Sequence, residues 1–372
     1  MKKKVLFCAT VDSHFKAFHL PYMKWFQDQQ WEVHVAAGGN IELAYTDKKY
    51  DIQIKRSPFD FKNISAYKKL KKIIEENNYD IIHCHTPVGG VMARLAAKDA
   101  RKVGTKVIYT AHGFHFYKGA PILNWCLYYP LEKILSNSTD CLITINEEDY
   151  ELAIKCKFGA KRIEHVHGVG VNMDRFKPID EIKKNAIREK FGYSESDFLM
   201  FYAAEINKNK NQKILIQALA EIKHIAPNAR LLLAGRGPLM EEYKSLAKEI
   251  GVMEQVKFLG YREDIADLLP ICDVAVASSL REGLPVNIME SMACALPVIA
   301  IDNRGHRELV EDGINGFLIQ PNSVNSVSSA MLHLISSPKD RDEMGHASFE
   351  KVKNYSIPVI EKELSKIYNS YL

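Results

Sequence analysis

The chain has 372 residues, 47% of them hydrophobic and 26% charged, with a formal net charge of +4. That length suits two domains of ordinary size, each able to bury its own core. The charge excess is too small to indicate nucleic acid, no basic stripe is interleaved with aromatics, and no apolar run approaches the roughly 20 residues of a membrane-spanning helix.

Met1-Lys2-Lys3-Lys4 followed by VLFCAT has the outline of a signal peptide. Asp12, His14 and Lys16 cut the apolar run short and no small-residue cleavage pattern follows, so the segment reads as a first strand. Further apolar runs, EVHVAAGG, YDIIHCHT, KVIYTAHG, CLITIN and RIEHVHGVGV, recur up to residue 172 with helix-like segments between them. This alternation predicts a parallel sheet in a Rossmann-like domain over 1–172. In that range 25 Lys and Arg face 18 Asp and Glu, so the positive excess lies here. Part of it falls in FKNISAYKKLKKII, where Lys62, Lys68, Lys69, Lys71 and Lys72 alternate with Ile64, Leu70, Ile73 and Ile74. A solvated helix face accounts for that pattern, and so does an amphipathic helix lying on an anionic membrane surface.

A polar stretch, 173–196, is expected to be a linker. A second alternation, FLMFYAAE, ARLLLAGRG, QVKFLGY, VAVASS, PVIAID and GFLI, predicts a second Rossmann-like domain over 197–356. The closing segment 357–372 carries Ile360, Leu364, Ile367 and Tyr368 at helical spacing. Nucleotide crevices of such domains lie at the carboxyl ends of the strands.

Seven scattered cysteines include no Cys-x-x-Cys pair, which indicates neither a disulfide framework nor a cysteine zinc site and favours a reducing cytoplasm. His83 and His85 resemble metal ligands, but no third ligand at suitable spacing accompanies them, so no metal is expected. Asp340-Arg341-Asp342 follows Ser337-Pro338 at an apparent helix start, where acidic residues serve the cap and dipole.

The most informative stretch is Ala277 to Gly316. Glu282 and Glu290 flank Gly283-Leu284-Pro285, and because proline fits the first turn of a helix, the residues predict a helix from Pro285 to Ala295. Its N-terminus, with Val286 and Asn287, is a seat for an anionic group such as a diphosphate. Gly235 and Gly237 in GRGP follow a strand and permit close approach of a nucleotide, although plain turns use glycine as well. Arg262, after QVKFLGY, is a candidate for contact with the base.

EGLPVNIMESMACALPVIAI resembles the E-x7-E region of retaining glycosyltransferases of family four, and the likeness extends over essentially the whole chain. It is strongest toward bacterial enzymes of capsular and exopolysaccharide assembly. The resemblance implies the GT-B fold, an α/β architecture of two Rossmann-like domains facing a central cleft, with the terminal helix crossing back to the N-terminal domain. It implies that Glu290 binds the nucleotide ribose, that Glu282 lies near the donor sugar, and that His112, in TAHGFHFYKG, contacts that sugar. Lys210 matches the lysine of the family's G-R-x-x-x-x-K pattern, where it would neutralise the diphosphate. Glu205 stands in place of the family arginine and Ala204 in place of the preceding glycine, which leaves the second phosphate cation unassigned; Lys208 is a candidate substitute, although a solvated surface position accounts for it as well.

The loop from Thr10 to Lys16 lacks the glycines that many relatives have there, and Ser13 and His14 are the acceptor-side candidates. The implied activity is metal-independent transfer, with no cofactor, from a UDP-sugar, an N-acetylated hexosamine among the donors, to a lipid-linked saccharide. The implied location is the cytoplasm, or the inner face of the plasma membrane as a peripheral protein. Two other classes share the architecture: a UDP-sugar 2-epimerase, which needs no acceptor, and a catalytically silent nucleotide-sugar-binding subunit.

Overall fold

The computed structural model describes residues 2–55, 57 and 60–371. Met1 and Leu372, the outer limits of the predicted domain ranges, lie outside the described residues. The chain divides into two compact units, one made of 1–170 with 357–372 and the other of 171–356.

The first unit carries β1 (Lys4–Val11), β2 (Glu32–Gly38), β3 (Lys48–Asp51), β4 (Ile81–His85), β5 (Lys106–Ala111), β6 (Cys141–Thr144) and β7 (Arg162–His165). They form a parallel sheet in the order β3-β2-β1-β4-β5-β6-β7. Both faces are covered, which is why the strands read as continuous apolar runs. Leu6, Cys8, Ile82 and Cys84 enter the core on one face, and Val5, Phe7, Ala9 and Ile81 enter the core on the other. The helix Ile357–Asn369 completes that second core with Ile360, Leu364, Ile367 and Tyr368. β3 is absent from the sequence reading because its four residues, KKYD, are polar and pair only at the sheet edge.

The helix Lys62–Asn77 buries Leu70, Ile73 and Ile74 in the first core and leaves Lys62, Lys68, Lys69 and Lys72 exposed. Lys71 is drawn to Asp99 at 3.2 Å. In the same unit the helix Ile122–Ser136 exposes Ile122, Leu123, Leu127 and Ile134.

The second unit carries β8 (Phe198–Ala203), β9 (Ala229–Ala234), β10 (Val256–Gly260), β11 (Val274–Ala277), β12 (Val298–Ile301) and β13 (Gly316–Ile319), a parallel sheet in the order β10-β9-β8-β11-β12-β13. The segment read as a linker contains the helix Glu181–Lys190, N-capped by Asp180. Arg188 anchors it in the second unit, donating to Asp273 at 2.7 Å and to the Ile271 carbonyl at 2.9 Å. In each unit the strand order reverses direction once, between β1 and β4 and between β8 and β11, and doubly wound sheets bind their ligands outside the strand ends at such points. Among the described residues no helix is long and apolar enough to cross a membrane.

Candidate functional site

At the β8/β11 reversal, the segment after β8 delivers Lys210 and the segment after β11 delivers Glu282. Their side chains meet at 2.5 Å between Nζ and Oε1. The two segments are laced together over a sequence distance of about 70 residues, which is why local pattern cannot reveal the pairing. Ser278 Oγ donates to the Lys210 carbonyl at 2.7 Å, the Leu280 N–H donates to the Asn209 carbonyl at 2.8 Å, and Asn209 Nδ2 donates to the Arg281 carbonyl at 3.1 Å. From the other side, Asn303 Nδ2 donates to the Ser279 carbonyl at 2.8 Å and Arg304 Nε to the Glu282 carbonyl at 3.1 Å. Gly305 lies so near that a Cβ there would stand 2.8 Å from the Gly283 carbonyl. A loop held on both sides keeps its charged group in place without reorganisation, the condition under which fixed charges act best on a developing charge.

Gly283, Leu284 and Pro285 lead from Glu282 into the helix Val286–Ala293. Pro285 is its N-cap (φ −80°, ψ 113°) rather than its first residue, and the helix closes before Cys294, two residues short of the expected Ala295. Ala295 has already turned to φ 57°. Among the described residues no side chain caps the N-terminus, which leaves its first N–H groups and the positive end of the dipole open to an anion. Asn287 is partly committed, its Nδ2 donating to the Ala203 carbonyl at the end of β8 at 3.0 Å.

Glu290 lies one turn further into this helix. Burial pushes its carboxyl up to about 7, against the opposing pull of the Arg175 guanidinium. Among the described residues no hydrogen bond or close ion pair engages it. Gly235 and Gly237 are explained by backbone packing: a side chain at either would overlap the carbonyl of Ala204 or of Ile206. The guanidinium of Arg262 is held by Asp264, with Nε 2.7 Å from Oδ1. Glu205 and Lys208 are exposed. Asp340, at the start of the helix Pro338–Val352, pairs with His333 at 2.7 Å.

At the reversal in the first unit the expected loop Thr10–Lys16 is ordered differently. β1 runs on to Val11 and a short helix, Ser13–Phe18, begins at once. Asp12, paired with Lys49 at 2.6 Å, fixes the turn. Ser13 is exposed, while His14 points toward His19, His85 and His112. His14 Nε2 lies 3.0 Å from His19 Nε2, and His85 Nδ1 lies 3.3 Å from His112 Nε2. The His14 and His112 rings meet edge to face at 4.7 Å. Burial pulls His14 down to about 4 and lowers His19, His85 and His112 well below the usual imidazole range, so all four are neutral near pH 7.

The reading that no third ligand accompanies His83 and His85 is thus corrected for His85: folding assembles four imidazoles with one ligand atom each within 4.8 Å of the others. His83 faces away, bound to Thr110 Oγ1 at 2.8 Å and to Tyr368 OH at 2.9 Å. Sequence reasoning missed His19, Arg304 and Gly305. Each acts through a partner brought close by the sheet, and only the proximity of NRGH to the Glu282–Glu290 stretch hinted at the last two.

Residues 4–146 match the family model described as glycosyl transferase 4-like, and residues 183–351 match that of glycosyl transferases group 1. Over 372 residues the chain is 51% identical to EpsD of Bacillus subtilis (strain 168), a protein named a glycosyltransferase on a provisional basis; the match covers 100% of this chain and 98% of that one. It is 30% identical over 284 residues to the UDP-Gal:alpha-D-GlcNAc-diphosphoundecaprenol alpha-1,3-galactosyltransferase of Escherichia coli, covering 73% of this chain and 72% of that protein. The fold matches the crystal structure of Anabaena HepE in complex with UDP with a TM-score of 0.81 and 20% identity, over 100% of both chains.

Proposed function

Since the chain belongs to the GT-B glycosyltransferases of family four, we propose that it moves a sugar from a UDP-sugar to a hydroxyl of a lipid-linked saccharide in capsule or exopolysaccharide assembly, retaining the anomeric configuration. The observation that carries this reading is the Lys210–Glu282 pair, 2.5 Å apart beside a helix start that no side chain of the described residues caps.

As the glycosidic C–O bond loosens, negative charge gathers on the departing diphosphate and positive character on the anomeric carbon. The Val286–Ala293 helix start and the Lys210 ammonium receive the first. When the diphosphate takes up the Lys210 charge, Glu282 is released to accept hydrogen bonds from the donor sugar. Glu290 accepts from the ribose hydroxyls. His112, neutral, supports the sugar, and attack comes from the face the leaving group departs, with the acceptor proton passing to the leaving phosphate. Arg304, whose Nε donates to the Glu282 carbonyl at 3.1 Å, is a second cation at the Glu282 loop and the candidate for the role of the family arginine that Glu205 replaces. Transfer needs no metal at the diphosphate in this scheme. The acceptor assignment draws on the diphosphoundecaprenol substrate in the name of the Escherichia coli relative. The exposed lysines of Lys62–Asn77 and the apolar side chains of Ile122–Ser136 supply contact with an anionic bilayer carrying that acceptor.

A panel of UDP- and GDP-sugars, each incubated with and without lipid-linked acceptor, tests the reaction, and calorimetry of UDP binding tests the site. Lys210→Ala is expected to cut turnover by at least a hundredfold, the scale on which a lost stabilising group at a developing charge acts. Undiminished turnover would remove Lys210 from the mechanism. Conversion of UDP-N-acetylglucosamine to its epimer without acceptor would replace transfer by epimerisation.

A further inference from the structure

We propose that His14, His19, His85 and His112 bind a divalent first-row metal ion, Zn2+ being the best match, in a structural site at the carboxyl ends of β1, β4 and β5. The site stands on the first unit's geometry alone and does not depend on the identity of the sugar donor.

Three observations converge. The first is distance. One ligand atom from each ring lies within 4.8 Å of the others, and the two close nitrogen pairs are at 3.0 and 3.3 Å. Zinc–nitrogen bonds of 2.0–2.1 Å in a tetrahedron set neighbouring nitrogens about 3.4 Å apart, so two edges are already near the required length. The second is the facing of ring nitrogens. His14 Nε2 meets His19 Nε2 and His85 Nδ1 meets His112 Nε2, and a pair of neutral imidazoles shares at most one proton between the facing atoms, so each pair presents a lone pair that a shared cation would engage. His19 and His85 are buried; with their facing nitrogens on the ion, His19 Nδ1 and His85 Nε2, which have no hydrogen-bonding partner among the described residues, carry the protons.

The third is ligand chemistry. Imidazole suits Zn, Cu, Fe and Ni rather than Mg or Ca, and the cluster offers no carboxylate. Four protein ligands close a zinc site, which makes it structural rather than one that activates water.

Such an ion would tie the turn between β1 and the helix Ser13–Phe18 to the ends of β4 and β5, segments separated by up to 98 positions. It would also set a tautomer. His112 Nε2 faces His85, so with that nitrogen on the ion, Nδ1 carries the proton and is the donor left for a ligand hydroxyl.

The test uses the full chain, stripped with a chelator and titrated calorimetrically with Zn2+ and separately with Mg2+. One Zn2+ per chain, bound at least a hundredfold more tightly than Mg2+, is expected, together with a higher melting temperature. His19→Gln and His85→Gln should each weaken Zn2+ binding at least tenfold, whereas His224→Gln, at an exposed position, should not. Equal binding in parent, H19Q and H85Q, or no preference over Mg2+, overturns the proposal. Because H19Q or H85Q could fail to fold, the parent loaded with Co2+ supplies an independent reading. Intense visible bands of tetrahedral cobalt support the site, and the weak spectrum of six-coordinate cobalt sinks it.

Discussion

Glu290 combines an ordinary sequence position with an unusual environment. Its carboxyl, raised to about 7 by burial, lies above the 4.5 of a free glutamate, so the folded chain holds a proton that the unfolded chain releases between those values. The stabilising effect of the protonated form is therefore complete below pH 4.5 and is lost as pH rises through 7, by up to about 3 kcal/mol at 1.36 kcal/mol per pH unit. In its proposed role the carboxylate accepts from ribose, so UDP affinity should fall about tenfold between pH 8 and pH 6, measured by calorimetry, and Glu290→Gln should bind weakly with a flat profile. A steep profile in the Gln variant would assign the titration elsewhere. Glu282, Lys210 and Glu290 could be singled out as candidates because each stands in a short local pattern, and folding brings the first two together. The four-histidine cluster could not, since His14, His85 and His112 come from three strand ends and only the sheet order β1-β4-β5 makes them neighbours.

Among elements, the strands were legible wherever both faces are buried, and the polar edge strand β3 was not. In the helix Lys62–Asn77 the core takes Leu70, Ile73 and Ile74, so the exposed lysines and Ile64 are what this helix offers a membrane. At about 1 kcal/mol per cation near an anionic surface, reversing Lys68, Lys69 and Lys72 together should lower partition onto anionic vesicles by a hundredfold or more in a sedimentation assay. Unchanged partition would acquit the lysines and turn attention to exposed Ile122 and Leu123. In the Glu282 loop the motif is visible in sequence, while the clamp formed by Asn303, Arg304 and Gly305 is visible only in the fold.

For the molecule as a whole, each unit has its own sheet with a single reversal of strand order, and the proposed nucleotide seat belongs to the second. Hydrogen exchange with and without UDP should slow amides in 203–212 and 278–290 first; protection concentrated in 1–170 would transfer the nucleotide to the other unit. The first unit is also discontinuous in the chain, since the helix Ile357–Asn369, whose Ile360, Leu364, Ile367 and Tyr368 belong to its core, follows the whole of 171–356. During synthesis, at about 5–20 residues per second, the ribosome delivers that helix roughly 10–40 s after residue 170. Until then the nascent first unit presents an open apolar groove where Phe26 and Tyr368 will meet, and a chaperone that shields such grooves has its longest opportunity there.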